Sequence, residues 1–207
     1  MEKKQTFPSE KVTLPSKGLL YPKESPLSKG SIEMKYMTAR EEDILTNQNY
    51  IQKGIVIDEL LKSLILTEGV DYNDLLVGDK NAIMVAARIL GYGADYSFTY
   101  NNEQHTINLT EINDKSMDES LIKDSKNEFH FTLPTSKVEV TFKLLTHGDE
   151  KTLEAEIKGL KKLNKTSSPD VSTRMKHMIT AVNGDVERKT IREFVDNTLL
   201  ARDARKL

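Results

Sequence analysis

The side chains able to do chemistry in this sequence are few and scattered. Four histidines are present, His105, His130, His147 and His177, and none lies within four residues of another. No helical pair of imidazoles is therefore available to grip a metal. Cysteine is absent, which removes disulfides, thiolate zinc sites, iron–sulfur clusters and cysteine nucleophiles together. Gly91-Tyr92-Gly93 follows a helical stretch, whereas a dinucleotide-binding loop must leave a strand and open a helix. Gly78-Asp79-Lys80 lacks both the earlier glycine of a phosphate loop and the Ser or Thr after its lysine. The adjacent carboxylates Glu41-Glu42 and Asp149-Glu150 fall at expected helix starts, where capping and the helix dipole account for them. A nucleophile–base pair can assemble from distant positions, but no G-x-S-x-G elbow marks one. A hydrolase of the lysozyme kind needs two carboxylates facing across a cleft, and no local cue supports such a pair. The chain reads as a protein that binds other proteins, not an enzyme, with no cofactor, no metal and no small-molecule substrate.

The elements around these residues predict an α+β fold. It has a helical body, a small antiparallel β region of two hairpins, and an extended proline-rich N-terminal arm. The arm is residues 1–30, with Pro8, Pro15, Pro22 and Pro26. Proline fixes φ and pushes its predecessor toward extended geometry, so short β-like pieces are expected at Val12–Leu14 and Gly18–Tyr21. A single domain then spans 31–207: helical over 38–93, β over 96–145, and C-terminal helices over 149–205. Ile32, Met34 and Tyr36 alternate with polar residues as a half-buried strand. Thr38-x-x-Glu41 is a capping box for a helix reaching about Asn47. Ile57, Leu60, Leu61, Leu64 and Ile65 form a one-faced stripe. Asp79 predicts the N-cap of a helix apolar on nearly every side, which is expected to be the buried centre of the body. Gly91 is expected in the left-handed position just past its end.

Beyond residue 93 the period changes. Tyr96, Phe98, Tyr100 and then Ile107, Leu109 alternate around an Asn101-Asn102 turn, the first hairpin. Phe129, Phe131 and Val138, Val140, Phe142, Leu144 around Pro134 form the second. A helix follows through Leu153, Ile157 and Leu160. Another runs from Ser168-Pro169-Asp170 through Val171, Met175, Met178, Ile179 and Val182 to Asn183-Gly184. The last follows Thr190-x-x-Glu193, with Ile191, Phe194, Val195 and Leu199 inward.

Two features point to partner contacts. Leu14, Pro15, Leu19, Leu20 and Tyr21 make the arm too apolar for a free linker, so it docks either on its own domain or on a partner. Arg88 is a lone cation in an apolar helix; it either reaches the surface or a buried acid, or meets a partner directly.

Composition sets the remaining bounds. The 207 residues are 37% hydrophobic and 30% charged, with 6% aromatic and no Trp. That balance is globular, and it disfavours base stacking. The net charge of −2 conceals basic ends: eight Lys/Arg against four Asp/Glu over residues 1–40, and thirteen against eight over 151–207. These cations are diluted by acids and not interleaved with aromatics, so nucleic acid is not the expected partner. No secretory leader and no membrane span is legible, so the expected location is a cytoplasm.

Three segments carry a family resemblance: LPSKGLLYP at Leu14–Pro22, MTAREEDIL at Met37–Leu45, and LLVGDKNAIMVAARILGYG at Leu75–Gly93. In this order and spacing they resemble the baseplate hub assembly protein family of T-even-type, contractile-tailed bacteriophages. The resemblance covers most of residues 10–100, and beyond that it is one of layout. It implies a late phage protein acting in the cytoplasm of an infected bacterium, with other baseplate hub proteins as partners and a possible homo-oligomer. It implies an assembly factor of chaperone type, or alternatively a minor structural component kept in the virion tail baseplate. Some relatives bear a cysteine-containing knuckle near Tyr96–Leu109; this chain has no thiol there.

Overall fold

In the computed structural model, residues 8–113, 118–122, 125–163 and 169–207 are described. Helices and small antiparallel sheets together make the fold α+β. The chain forms two compact units. Unit 1 takes the chain up to Val70 and again from Gly78; unit 2 takes Asp71–Val77 and the chain from Asp118 onward.

Unit 1 opens with strand β1 (Ser9–Thr13), antiparallel to β2 (Ser31–Lys35), with Val12 opposite Ile32. The intervening residues fold back as a compact loop, closed by a hydrogen bond from the Leu14 N–H to the Gly30 carbonyl at 2.9 Å. Gly18–Tyr21, expected as a β-like piece, instead turns: the Leu19 N–H donates to Ser16 O and the Tyr21 N–H to Gly18 O. Gly18 (φ +77°) and Gly30 (φ +69°) are left-handed, and a Cβ on either would strike backbone, that of Ser28 or of Lys17. Only glycine permits that approach.

Helix α1 (Ala39–Leu45) starts at Thr38, whose N–H and hydroxyl both donate to the Glu41 carboxylate. The polar run at Asn47 does not merely end this helix. The Asn47 side chain accepts the Asn49 and Tyr50 N–H groups and so starts α2 (Gln48–Lys53). In α3 (Val56–Leu64), Leu60, Leu61 and Leu64 are buried. Ile57 on its rim is exposed, and Ile65 leaves the helix to bridge Met34.

Helix α4 (Val77–Tyr92) begins two residues before the expected cap, and its burial differs from expectation. Asp79, Ile83 and Ala87, spaced by four, form its buried line. Val85, Ala86 and Ile89 are half-buried and Met84 is exposed, so one side of the helix is covered and the other is not. Gly93 (φ +85°), not Gly91, takes the left-handed position. Gly91 instead lies against the Met37 side chain, whose thioether would have to shift to admit a Cβ there. Strands β3 (Asp95–Tyr100) and β4 (Glu103–Asn108) then form a hairpin through Asn101 and Asn102, both at positive φ.

Unit 2 is built on a three-stranded antiparallel sheet of β5 (Phe129–Thr132), β6 (Glu139–Phe142) and β7 (Ile179–Val182). Helices α5 (His147–Leu163), α6 (Asp170–Met178), α7 (Arg188–Asn197) and α8 (Ala201–Ala204) complete it. Leu133, Val140, Ile179, Val182, Ile191, Phe194 and Val195 form its core. The expected helix through Val182 stops at Met178. Ile179-Thr180-Ala181-Val182 has the β-branched ends of a strand and finds the free edge of β6, with Val140 opposite Val182. Asn183 and Gly184, both left-handed, make a tight turn closed by paired hydrogen bonds between Val182 and Asp185. Ser168, read as part of the start of α6, lies outside the described residues. The buried Asp203 carboxylate accepts the N–H groups of Thr135 and Ser136, both at 2.9 Å, and so secures the turn between β5 and β6.

Candidate protein-contact surface

The arm residues nominated from sequence are mostly internal to unit 1. Leu14, Leu20 and Tyr21 are buried, while Pro15 and Leu19 are half-buried. What fixes them is Asp79. Its buried carboxylate accepts the Ser16 N–H at 2.9 Å, the Ser16 hydroxyl at 2.6 Å and the Tyr21 hydroxyl at 2.6 Å. A buried carboxylate must find donors, and the arm supplies three. Of the two docking options for the arm, this geometry is the one on its own unit.

A second buried carboxylate ties α1 to its neighbours. Glu41 accepts the Lys35 ammonium at 2.7 Å and the Ser63 hydroxyl at 2.7 Å, besides the Thr38 groups. Burial pushes its pKa up, but the hydrogen bonds from Lys35, Thr38 and Ser63 outweigh that and hold it at about 2. Both acids serve structure. Among the described residues no group of three metal-binding side chains converges.

Arg88 is committed to its own chain. Its guanidinium donates to the Gly93 carbonyl at 2.9 Å and the Asp95 carbonyl at 3.3 Å. It also lies over the rings of Tyr92 and Tyr96, 5.0 and 5.6 Å from their centroids. It thus sutures the end of α4 to the start of the hairpin.

The exposed chemistry of unit 1 lies on that hairpin. Tyr96, Phe98 and Tyr100 point to one face, opposite Ile107, His105 and Glu103 respectively. The other face is polar, with Ser97 and Thr106 bonded at 2.8 Å. The aromatic rings form a ladder: Tyr96–Phe98 at 6.0 Å, Phe98–His105 at 5.6 Å and Tyr100–His105 at 6.3 Å. Within unit 1 the ladder is open at the surface. Tyr100 is 64% exposed, and Tyr96, Phe98 and Ile107 are also open. Tyr92, 51% exposed, continues the surface onto α4. Next to it is a cleft of about 160 Å³ lined by Met37, Leu45, Ile57, Leu60, Met84 and Tyr92 among others. The Tyr92 hydroxyl donates to Glu42 at 2.7 Å, and that hydrogen bond raises the Tyr92 pKa.

The aromatic alternation was legible as a hairpin, but alternation alone does not reveal whether a face is covered. A usable signal was charge: from Ile89 to Asn113 the sequence holds Asp95, Glu103 and Glu111 and no Lys or Arg.

Comparison with family models, with curated proteins and with solved structures finds no match. No helix among the described residues is long and apolar enough to cross a membrane.

Proposed function

We propose that this chain is a protein-binding assembly factor for the baseplate hub of a contractile-tailed phage, engaging hub subunits in the cytoplasm of the infected cell. The observation that carries a binding role is the one-sided, uncovered aromatic face of the β3–β4 hairpin. Exposed apolar surface of this kind marks interaction sites in stable folds. The phage assignment rests on the resemblance of the three N-terminal segments. Within unit 1 the first two segments meet the Gly78–Gly93 part of the third: Ser16 and Tyr21 bond to Asp79, and Tyr92 bonds to Glu42.

The test is site-specific cross-linking in infected cells. A photo-reactive amino acid at Tyr100 of the full chain should capture hub subunits, and the same group at Thr99 on the polar face should not. Equal capture at both positions, or capture of no hub subunit, would refute the reading. Mass spectrometry of purified particles beside the lysate then separates the two roles. Stoichiometric presence in particles marks a structural part, and presence in the lysate alone marks a transient factor.

A further inference from the structure

We propose that Asn183 is a site of spontaneous covalent modification: deamidation through the Gly184 nitrogen, at a rate set by how often the turn after β7 opens. This site is independent of the binding role proposed above.

Asn183 is the one asparagine in the sequence that is followed by glycine. A side chain on the following residue would crowd the attacking peptide nitrogen, and glycine has none. Both residues are exposed, so water reaches them. In the reaction the Gly184 nitrogen bonds to Asn183 Cγ, the Cγ–Nδ2 bond breaks, and ammonia leaves with the Gly184 amide proton. Water then opens the five-membered imide at either carbonyl. Opening at Cγ leaves aspartate. Opening at the Asn183 backbone carbonyl leaves isoaspartate, with the main chain rerouted through Cβ and Cγ. The net change is water in and ammonia out, with no oxidant or reductant.

The turn that demands these two residues also restrains them. Asn183 (φ +49°) and Gly184 (φ +82°) are both left-handed, the pair that a two-residue hairpin connection calls for. A Cβ on Gly184 would meet nothing within 4 Å, so backbone conformation and not packing selects glycine there. At the ψ of about +47° typical of a left-handed residue, the next peptide nitrogen lies nearly anti to Cβ and out of reach of Cγ. The side chain is held away as well. Asn183 Oδ1 accepts the Glu139 N–H at 3.1 Å, while the Asn183 N–H donates to the Glu139 carbonyl at 2.7 Å. Attack therefore waits until the end of β7 leaves β6 and Asn183 leaves the left-handed region. Two hydrogen bonds between Val182 and Asp185, both 2.9 Å, oppose that opening.

Either product loosens unit 2. Aspartate adds a charge to a turn that already carries Asp185 and Glu187 and is bonded to Glu139. Isoaspartate adds a methylene to the main chain, which a two-residue turn cannot hold while keeping both Val182–Asp185 bonds. Val182 belongs to the core with Ile191 and Phe194, so the disturbance passes inward.

The test incubates the full chain at pH 8, in native buffer and in urea, and follows the tryptic peptide His177–Arg188 by mass spectrometry. Conversion replaces the side-chain amino group by a hydroxyl, and an isoaspartate methyltransferase marks the rerouted product. In urea Asn183 should convert faster than every other asparagine. In native buffer it should convert about ten to a hundred times more slowly, an opening of about 1.4–2.8 kcal/mol. Val182→Ala, which weakens the end of β7, should raise the native rate at least about threefold and leave the urea rate unchanged. Circular dichroism confirms that this variant is folded, and the wild-type comparison decides the matter without it. Equal rates in native buffer and in urea would overturn the proposal, and so would a native sample that gains no product.

Discussion

Replacing Glu41 with Gln should remove a pH-dependent part of the stability of unit 1, and the size of that part follows from the structure. The carboxylate ordinarily titrates near 4.5, and in the fold it is held at about 2 by Lys35, Thr38 and Ser63. Because the folded pKa is the lower one, the ionised group stabilises the fold above pH 4.5, and that contribution fades as pH falls from 4.5 toward 2. A shift of this size corresponds to about 3 kcal/mol at pH 7, at about 1.4 kcal/mol per pH unit. By pH 3 roughly 2 kcal/mol of it is gone. Urea unfolding of wild type and Glu41→Gln at pH 7, 5, 4 and 3 isolates the effect, because other titrating groups are common to both proteins. The wild-type advantage should be widest at pH 7 and narrow steadily below pH 4.5. An advantage that stays constant from pH 7 to pH 3 would show that this carboxylate is not the titrating group, and the reasoning would fail.

Further outcomes follow from other sites. Asp79→Ala should cost about 3–5 kcal/mol by stripping the acceptor from three buried donors, and Tyr21→Phe about 1–2 kcal/mol. In the Asp79→Ala background Tyr21→Phe should cost almost nothing, which a double-mutant cycle by chemical denaturation reads directly. Deleting residues 1–30 should lower the melting temperature or cause aggregation, because Leu14, Leu20, Tyr21 and Leu27 are buried; an unaltered melt would refute the latch. At Asp203 burial pushes the pKa up, but the Ser136 and Thr135 N–H groups hold it at about 2. Its contribution is therefore present above pH 3.8 and lost as pH falls toward 2, and Asp203→Asn should speed hydrogen exchange at Thr135 and Ser136. A Phe98→Ser/Tyr100→Ser variant should cost about 1–2 kcal/mol through the lost ladder contacts across the hairpin, read by urea unfolding.

Where local signals and tertiary demands agreed, the sequence was a sufficient guide. The Leu60-Leu61-Leu64 stripe, the Thr38–Glu41 cap, both hairpins and the inward face of α7 are all set by spacing within a few residues. The departures have tertiary causes. Asp79 has the chemistry of an N-cap, but its oxygens are claimed by Ser16 and Tyr21, more than 55 residues away. Ile179–Val182 has helical spacing with Met175 and Met178, yet the edge of β6 takes it as a strand. The apolar outer side of α4 resembles core in sequence, yet Met84 and Tyr92 are exposed and Val85 and Ile89 only half-buried. For the contact surface, the aromatic residues were visible but their exposure was not, because a periodicity records which side chains share a face and not what that face meets.

The Asp79 latch also sets a timetable for synthesis. Ser16 and its acceptor are 63 residues apart in the chain. At about 5–20 residues per second, several seconds pass between the translation of Ser16 and that of Asp79. During that interval Leu14, Leu20 and Tyr21 leave the ribosome with no carboxylate to fasten the loop that holds them. Unit 1 thus has a nascent stage in which this loop is open to chaperones and to aggregation. Codon changes that slow translation between Tyr21 and Asp79 lengthen that stage without altering a single residue.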